Sequence, residues 1–211
     1  MESYVTLRPG REAVGEFTDR KSRFIAQLVH VADEGQAASH ISSVRARHFD
    51  ARHNVPAWIL ADGSERASDD GEPQRTSGMP TLEVLRGAGL RDVCCVTTRY
   101  FGGTLLGPGG LVRAYTAAAQ AAIEDARAQG ALVEMTSVVT VEARIPYPRH
   151  DQVVHLAQGA GAHVVSTEYT DVVTMRLAFR EGDEHAFIGA LTELMGGAGC
   201  ATVEPARFAE F

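Results

Sequence analysis

One block constrains this chain more than any other. Val93-Cys94-Cys95-Val96-Thr97-Thr98 leads through Arg99-Tyr100-Phe101-Gly102-Gly103 and a glycine-rich stretch to Gly110; a long alanine-rich run from Leu111 to about Gln129 follows, closed by Gly130. The first part is β-branched and apolar, the signature of a buried strand. The last part has the composition and the terminal glycine of a helix. A strand handed to a long helix by glycines requires a sheet with helices laid on it, so the chain is a mixed α+β one.

The rest of the sequence fits that frame. Glu12 to Val31 reads as one or two strands, with Phe24, Ala26 and Leu28 on one face of the second. Asp33 is placed to cap a helix running to about His48. Its apolar stripe is Ala37, Ile41 and Val44, and His48, four residues on, is expected to face inward. Val55 to Leu60 reads as a buried strand stopped by Asp62-Gly63. Ser64 to Gly78 is polar, has no period, and is too long for a simple turn; such loops are usually functional. Pro80 suits the first turn of a short helix through Arg86. Beyond Gly130, the reading is strand (Leu132–Ala143), helix (Arg149–Gln158), strand (His163–Glu168), strand (Val172–Phe179), helix (Asp183–Met195) and strand (Ala201–Glu204). That order, β-α-β-β-α-β, is ferredoxin-like and of a size that folds alone. Two domains are expected, 1–134 and 135–211. No low-complexity tract or short-period repeat is visible.

Charge and cysteine usage narrow the function classes. The formal net charge of −7 argues against bulk electrostatic binding to nucleic acid, though not against a local basic patch. Up to Glu134 there are 15 Lys and Arg against 17 Asp and Glu, and beyond it 5 against 10, so such a patch belongs in the first part. Lys21 is the only lysine. The three cysteines make neither a disulfide framework nor a zinc spacing. Cys94 and Cys95 are expected on opposite faces of their strand as small reduced core residues. No apolar run reaches the roughly 20 residues of a membrane helix. The opening MESYVTLRPGRE has no signal-peptide core. A cytoplasmic protein without membrane attachment is expected.

Three clusters carry the polar chemistry. The first is His48-Phe49-Asp50-Ala51-Arg52-His53-Asn54. The second is Ser68-Asp69-Asp70-Gly71-Glu72-Pro73, extending through Thr76 and Gly78. The third is Thr98-Arg99-Tyr100-Phe101-Gly102-Gly103 with Leu106-Gly107-Pro108-Gly109-Gly110-Leu111-Val112-Arg113-Ala114-Tyr115. Amides of the Gly102–Gly110 connection at a helix N-terminus, flanked by Arg99 and Arg113, suit an anion or a nucleic-acid backbone; alternatively both arginines pair with Asp69, Asp70 or Glu72 and hold the acidic loop. The connection is neither Gly-x-Gly-x-x-Gly nor a Walker loop, and a tight turn needing glycines is the plainer alternative. Asp69, Asp70 and Glu72 serve either as a structural, salt-bridged turn, as a contact surface, or as part of a metal or catalytic site. They lack EF-hand spacing, and no second acidic cluster completes a two-metal site. His48 and His53 are either hydrogen-bonded core groups or acid/base groups. Tyr100 and Phe101 either close the core or stack bases. Trp58 is expected to pack in its strand.

Taken together, the clusters resemble the IMPACT family in its bacterial, YigZ-type form. Lys21-Ser22-Arg23-Phe24-Ile25 matches the family's opening motif. The Ser-Asp-Asp-Gly-Glu-Pro loop and the Thr-Arg-Tyr-Phe-Gly-Gly … Gly-Gly-Leu-Val-Arg-Ala-Tyr block match closely. The resemblance spans roughly residues 21 to 115. It implies a ribosomal-protein-type β-α-β domain, similar to the fourth domain of elongation factor G, followed by a ferredoxin-like domain similar to the fifth. Eukaryotic relatives carry an added interaction domain and act in translational control; no such domain is expected from this sequence, so the resemblance does not imply the eukaryotic partner mechanism. Two departures are visible. Val55 stands where many relatives carry cysteine, which argues against a thiol mechanism there. Arg75 stands where many carry glycine, and its side chain is expected to stiffen the acidic loop by pairing with its carboxylates.

The resulting expectation is a non-enzymatic protein that binds RNA or the ribosome and modulates translation. The candidate anion- or nucleic-acid-binding residues are Lys21, His53, Arg99, Gly102, Gly103, Gly109, Gly110 and Arg113. No catalytic residue, metal or cofactor is assigned. The alternatives are a hydrolase using His53 with Asp69, Asp70 and Glu72, and a protein-interaction module whose acidic loop docks a basic partner.

Overall fold

Side-chain alternation layers the first half of the chain. The computed structural model describes residues 3–211, which divide into two units, Tyr4–Val133 and, together with Ser3, Glu134–Phe211. The first unit contains strands β1 (Tyr4–Leu7), β2 (Glu12–Asp19), β3 (Ser22–His30), β4 (His53–Ile59), β5 (Glu65–Ala67) and β6 (Val93–Tyr100). Its helices are α1 (Glu34–Arg47), α2 (Gly78–Gly87) and α3 (Gly107–Ala128). Five strands form one sheet in the order β2-β3-β6-β4-β5, antiparallel throughout.

Phe24, Ala26 and Leu28 of β3, Val55, Ala57 and Ile59 of β4, and Val93 and Cys95 of β6 share one core with α2 and α3. Trp58, Cys94 and Val96 belong to another, with Ala37 and Val44 of α1. Cys94 and Cys95 therefore sit in different cores, as the two-residue period of a strand requires. Burial pushes the Cys95 thiol up to about 12 and also raises that of Cys94, so neither is a thiolate at neutral pH. The alanines of α3 have a packing reason. A Cβ on Gly15 of β2 would lie 2.1 Å from the Ala122 backbone nitrogen. Helix and strand meet backbone to backbone, and only small residues fit between them.

Several elements differ from expectation. α3 begins at Gly107, not Leu111, so Gly109 and Gly110 lie in its first turn rather than in the loop. Pro108 fits that turn because its missing N–H would have had no partner there. His48 is the C-cap of α1, with φ −115° and ψ 45°. It leaves the helical stripe, is half-buried, and turns its Nδ1 to the Tyr100 hydroxyl at 2.9 Å. The edge strand β5 lies inside the expected polar loop, pairing Ala57 with Ala67 and Trp58 with Arg66.

The second unit takes most of β7 (Leu132–Ile145), then α4 (His150–Gly159), β8 (His163–Tyr169), β9 (Val173–Arg180), α5 (Glu184–Leu194), β10 (Ala201–Val203) and β11 (Arg207–Glu210). β10, β7, β9 and β8 lie side by side in that order, all antiparallel, so the unit is ferredoxin-like. Val141, Ala143 and Ile145 of β7 and Met175, Leu177 and Phe179 of β9 pack against Val153 and Ala157 of α4 and Phe187 and Leu191 of α5. β11 is additional. It pairs with Met135–Val138 of β7, while β10 pairs with Val141–Ala143 of the same strand.

Candidate functional site at the end of the first sheet

β4 begins and β6 ends at the same end of the first sheet. In their register His53 stands opposite Arg99 and Asn54 opposite Thr98. Across the other edge of β6, Phe24 stands opposite Arg99. Opposed residues share a face, so His53, Arg99 and Phe24 make a row under α3. The Arg99 guanidinium carbon lies 5.5 Å from the Phe24 ring centre and 5.6 Å from that of Phe101. On the opposite face, Thr98 Oγ1 donates to Asn54 Oδ1 at 2.7 Å.

The acidic loop folds over this end, and its three carboxylates do three different things. Asp69 anchors the start of α2. It accepts the backbone N–H groups of Arg75 at 2.7 Å, Ser77 at 3.1 Å and Gly78 at 2.9 Å, and the Ser77 hydroxyl at 2.8 Å. Burial opposes ionisation of Asp69, but these hydrogen bonds together hold its carboxyl below the usual range. Asp70 ties the loop to its neighbours, accepting the Asn54 N–H at 2.7 Å and Arg45 Nη2 at 2.7 Å.

Glu72 turns inward, its side chain 3% exposed. Both its oxygens accept from Arg99 Nη1, at 2.7 and 2.9 Å, and Oε1 also accepts the Tyr115 hydroxyl at 2.8 Å. Burial, and then the Glu72 charge, push the Tyr115 hydroxyl well above its usual range, which keeps it a donor. His53 Nδ1 is 2.7 Å from the Asp70 carbonyl oxygen. A carbonyl only accepts, so Nδ1 carries the proton and Nε2, 3.9 Å from Glu72 Oε2, is the free ring nitrogen.

The loop's turns explain one departure from the family pattern. Arg75 has φ +62°, a left-handed conformation that glycine adopts without strain. Its backbone N–H reaches Asp69, while its exposed side chain makes no ion pair among the described residues. This corrects the expectation that the arginine side chain would pair with the loop.

Beside this network is a cavity of about 260 Å³, whose lining includes Arg52, His53, Glu72, Arg99, Phe101 and Leu105. The first turn of α3 contributes Gly107, Pro108 and Leu111, and that helix has no side-chain N-cap. A larger groove of about 620 Å³ runs between α2 and α3. Its charged lining is Glu83, Glu124 and Arg127, of which Arg127 is paired with Glu124, and it has no comparable buried polar network.

The expected site residues are partly gathered. His53 and Arg99 line the cavity, but Arg99 is buried and paired with Glu72. Lys21 is exposed at the β2–β3 turn, next to Gly102: a Cβ on Gly102 would lie 2.1 Å from the Lys21 carbonyl carbon, and the Gly102 N–H donates to Ser22 Oγ at 3.1 Å. Arg20 Nη1 reaches the Leu105 carbonyl at 3.3 Å. Gly103, at φ +85°, is an exposed turn position. Gly109 is exposed at the start of α3, and Gly110 is buried against Leu106. Arg113 is exposed and does not line the cavity. Of the hydrolase set, only His53 and Glu72 face each other; Asp69 and Asp70 are occupied in holding the loop. Among the described residues, no three His, Cys, Asp or Glu side chains gather as a metal ion would need.

Arg52 and Tyr115 had no assigned role in the sequence. Tyr115 had a legible signal, four residues after Leu111 on the sheet-facing stripe of α3. Arg52 had only its place beside His53.

A model of the Impact N-terminal domain matches residues 20–123, and one of a domain of unknown function (DUF1949) matches residues 144–198. The chain is 33% identical over 182 residues to IMPACT family member YigZ of Escherichia coli, an alignment covering 84% of this chain and 87% of that one. The chain belongs to the IMPACT family. IMPACT family member YvyE of Bacillus subtilis is 44% identical over 117 residues, 54% of this chain and 53% of YvyE, so that match spans about half of each protein. A crystal structure described as that of a hypothetical protein superposes with a TM-score of 0.60 at 29% identity, covering 96% of this chain and 97% of the other. The acidic loop, the Arg99 row and the start of α3 all fall inside the Impact N-terminal match.

Proposed function

We propose that this IMPACT family protein is a cytoplasmic, non-enzymatic factor that associates with RNA or the ribosome and modulates translation. One observation carries the reading. Arg52, Phe101 and Leu105 line the cavity, and the β2–β3 turn touches the same loop through Arg20 at Leu105 and Lys21 at Gly102; Arg20, Lys21 and Arg52 are exposed and form no ion pair among the described residues, and Phe101 and Leu105 are exposed. On a chain of net charge −7, a cluster of unneutralised cations beside an aromatic ring is the local footprint that nucleic-acid backbones and bases recognise. The family's link to translational control in eukaryotes supports the same direction. The commitment of Asp69 and Asp70 to loop anchoring supports a binding role over hydrolysis. Among the described residues, no helix is long and apolar enough to cross a membrane.

Co-sedimentation of the full chain with ribosomes, with and without nuclease, tests the proposal. Association should disappear on nuclease treatment. Arg20→Glu with Lys21→Glu should weaken it and flatten its salt dependence by about 0.7 per lost single-strand phosphate contact. Association that survives both nuclease and charge reversal would refute the reading and identify a protein partner instead.

A further inference from the structure

We propose that the cavity beside Arg99 seats a terminal phosphate carried on a nucleoside, supplied by a free mononucleotide or by the end of an RNA strand. This inference rests on the nucleic-acid reading above and assigns it a specific chemical group.

Arg99 supplies the first argument. Its side chain is 8% exposed, yet its hydrogen bonding is incomplete. Nη1 donates to Glu72, Nε is buried without an acceptor, and among the described residues nothing accepts from Nη2. Buried donors left unmatched are costly; Nε is closed off from the cavity, so Nη2 is the Arg99 donor that a phosphate oxygen there could meet.

The second argument is the helix start. α3 enters the cavity wall with no side-chain cap; Pro108 has no N–H, so Gly107 supplies the first-turn amide among the lining residues, and the helix end adds partial positive charge. Arg52 is the third element: it is exposed, unpaired and part of the same lining. His53 adds Nε2, its other nitrogen being held by Asp70. Glu72 is the one carboxylate in the lining. Both its oxygens are engaged by Arg99, one also by Tyr115, so it balances Arg99 and leaves the Arg52 charge uncancelled.

Size and shape then select the group. About 260 Å³ walled by Leu105, Leu106 and Pro108 admits a phosphate with part of its sugar. A terminal phosphate, with a nucleoside on one side only, fits a cavity of this size better than an internal one flanked on both sides. Phe101, 44% exposed, offers the attached base a stacking face at the mouth.

The test uses the full chain and three internally labelled ten-nucleotide RNAs of one sequence, bearing a 5′-phosphate, a 3′-phosphate or neither. Adenosine 5′-monophosphate and adenosine serve as competitors. A phosphorylated form, RNA or mononucleotide, should bind at least tenfold more tightly than its unphosphorylated counterpart. Arg52→Ala should remove most of that preference without changing thermal stability, whereas Arg20→Ala should weaken all RNAs alike. Preference for the mononucleotide alone would name the free nucleotide as source; preference for one RNA end would name the strand. Equal binding of all forms would overturn the phosphate seat while leaving RNA association intact. Preference that survives Arg52→Ala would also overturn it, by placing the phosphate elsewhere. Binding by none of them would remove both this inference and the reading beneath it.

Discussion

Arg99→Ala should destabilise the first unit by about 3–5 kcal/mol, the usual cost of stranding a buried charge by deleting its partner. The size follows from the burial of both groups. Arg99 and Glu72 side chains are 8% and 3% exposed, so removing the guanidinium leaves Glu72 a carboxylate with little water around it. Tyr115 would remain as a single neutral donor to a carboxylate that now has three contacts reduced to one. Loss of the stacking on Phe24 and Phe101 adds about 0.5–1 kcal/mol per ring. Because a domain of this size loses roughly 3 °C per kcal/mol, the midpoint should fall by about 10–15 °C. The fluorescence of Trp58 is a suitable reporter, since it is the only tryptophan and lies buried in β4 of that unit. Replacing both partners, Arg99→Met with Glu72→Met, should cost clearly less than the sum of the two single changes, because no uncompensated charge remains. An Arg99→Ala variant within about 1 kcal/mol of the parent, the range of exposed ion pairs, would refute the view that this pair is desolvated and structural.

Asp69→Asn should flatten the acid limb of the stability curve. The Asp69 carboxyl is held below its unfolded value of about 3.9, so its contribution is complete above that pH and is lost as pH falls through the lower folded value; urea titrations from about pH 2 to about pH 6, the range that brackets carboxylate titration, would show it. Gly15→Ala should cost roughly 1–3 kcal/mol or more, because its Cβ would meet the α3 backbone; a neutral effect in thermal melts would contradict the close contact. Native thiol labelling should reach Cys200 at most, with Cys94 and Cys95 reacting only after denaturation; rapid native labelling of all three would contradict the burial of β6.

The elements most legible in the sequence were those with a clean period. Phe24, Ala26 and Leu28 announce a half-buried strand, and Ala37 and Val44 a helical stripe, because burial on one face imposes those spacings directly. The start of α3 was hidden because glycine is a poor helix former, although Pro108 marked the first turn. β5 and β11 were hidden for another reason: short polar edge strands bury too little to impose alternation. At the site, the residue types were readable but their partners were not. Glu72 meets Arg99 and Tyr115 across separations of 27 and 43 residues, and which carboxylate turns inward is decided by loop backbone angles at Asp70, Gly71 and Arg75. The sequence left Arg99 either as a cation of an anion pocket or as a partner of Asp69, Asp70 or Glu72; buried Glu72 takes it, and Arg52 is left exposed.

The β2–β3 hairpin turns through Arg20 and Lys21 between the paired residues Asp19 and Ser22, with φ of +44° and +66°. Two consecutive left-handed residues make the kind of two-residue turn that asparagine and glycine favour. Holding side chains with a Cβ there costs about 1–2 kcal/mol per residue. A stability-guided redesign would convert this tip to Asn-Gly before touching almost anything else on the surface, and the product should melt higher. It would also have lost both cations. At this tip the sturdier sequence and the charged one exclude each other, so backbone ease and cation count cannot both be raised there.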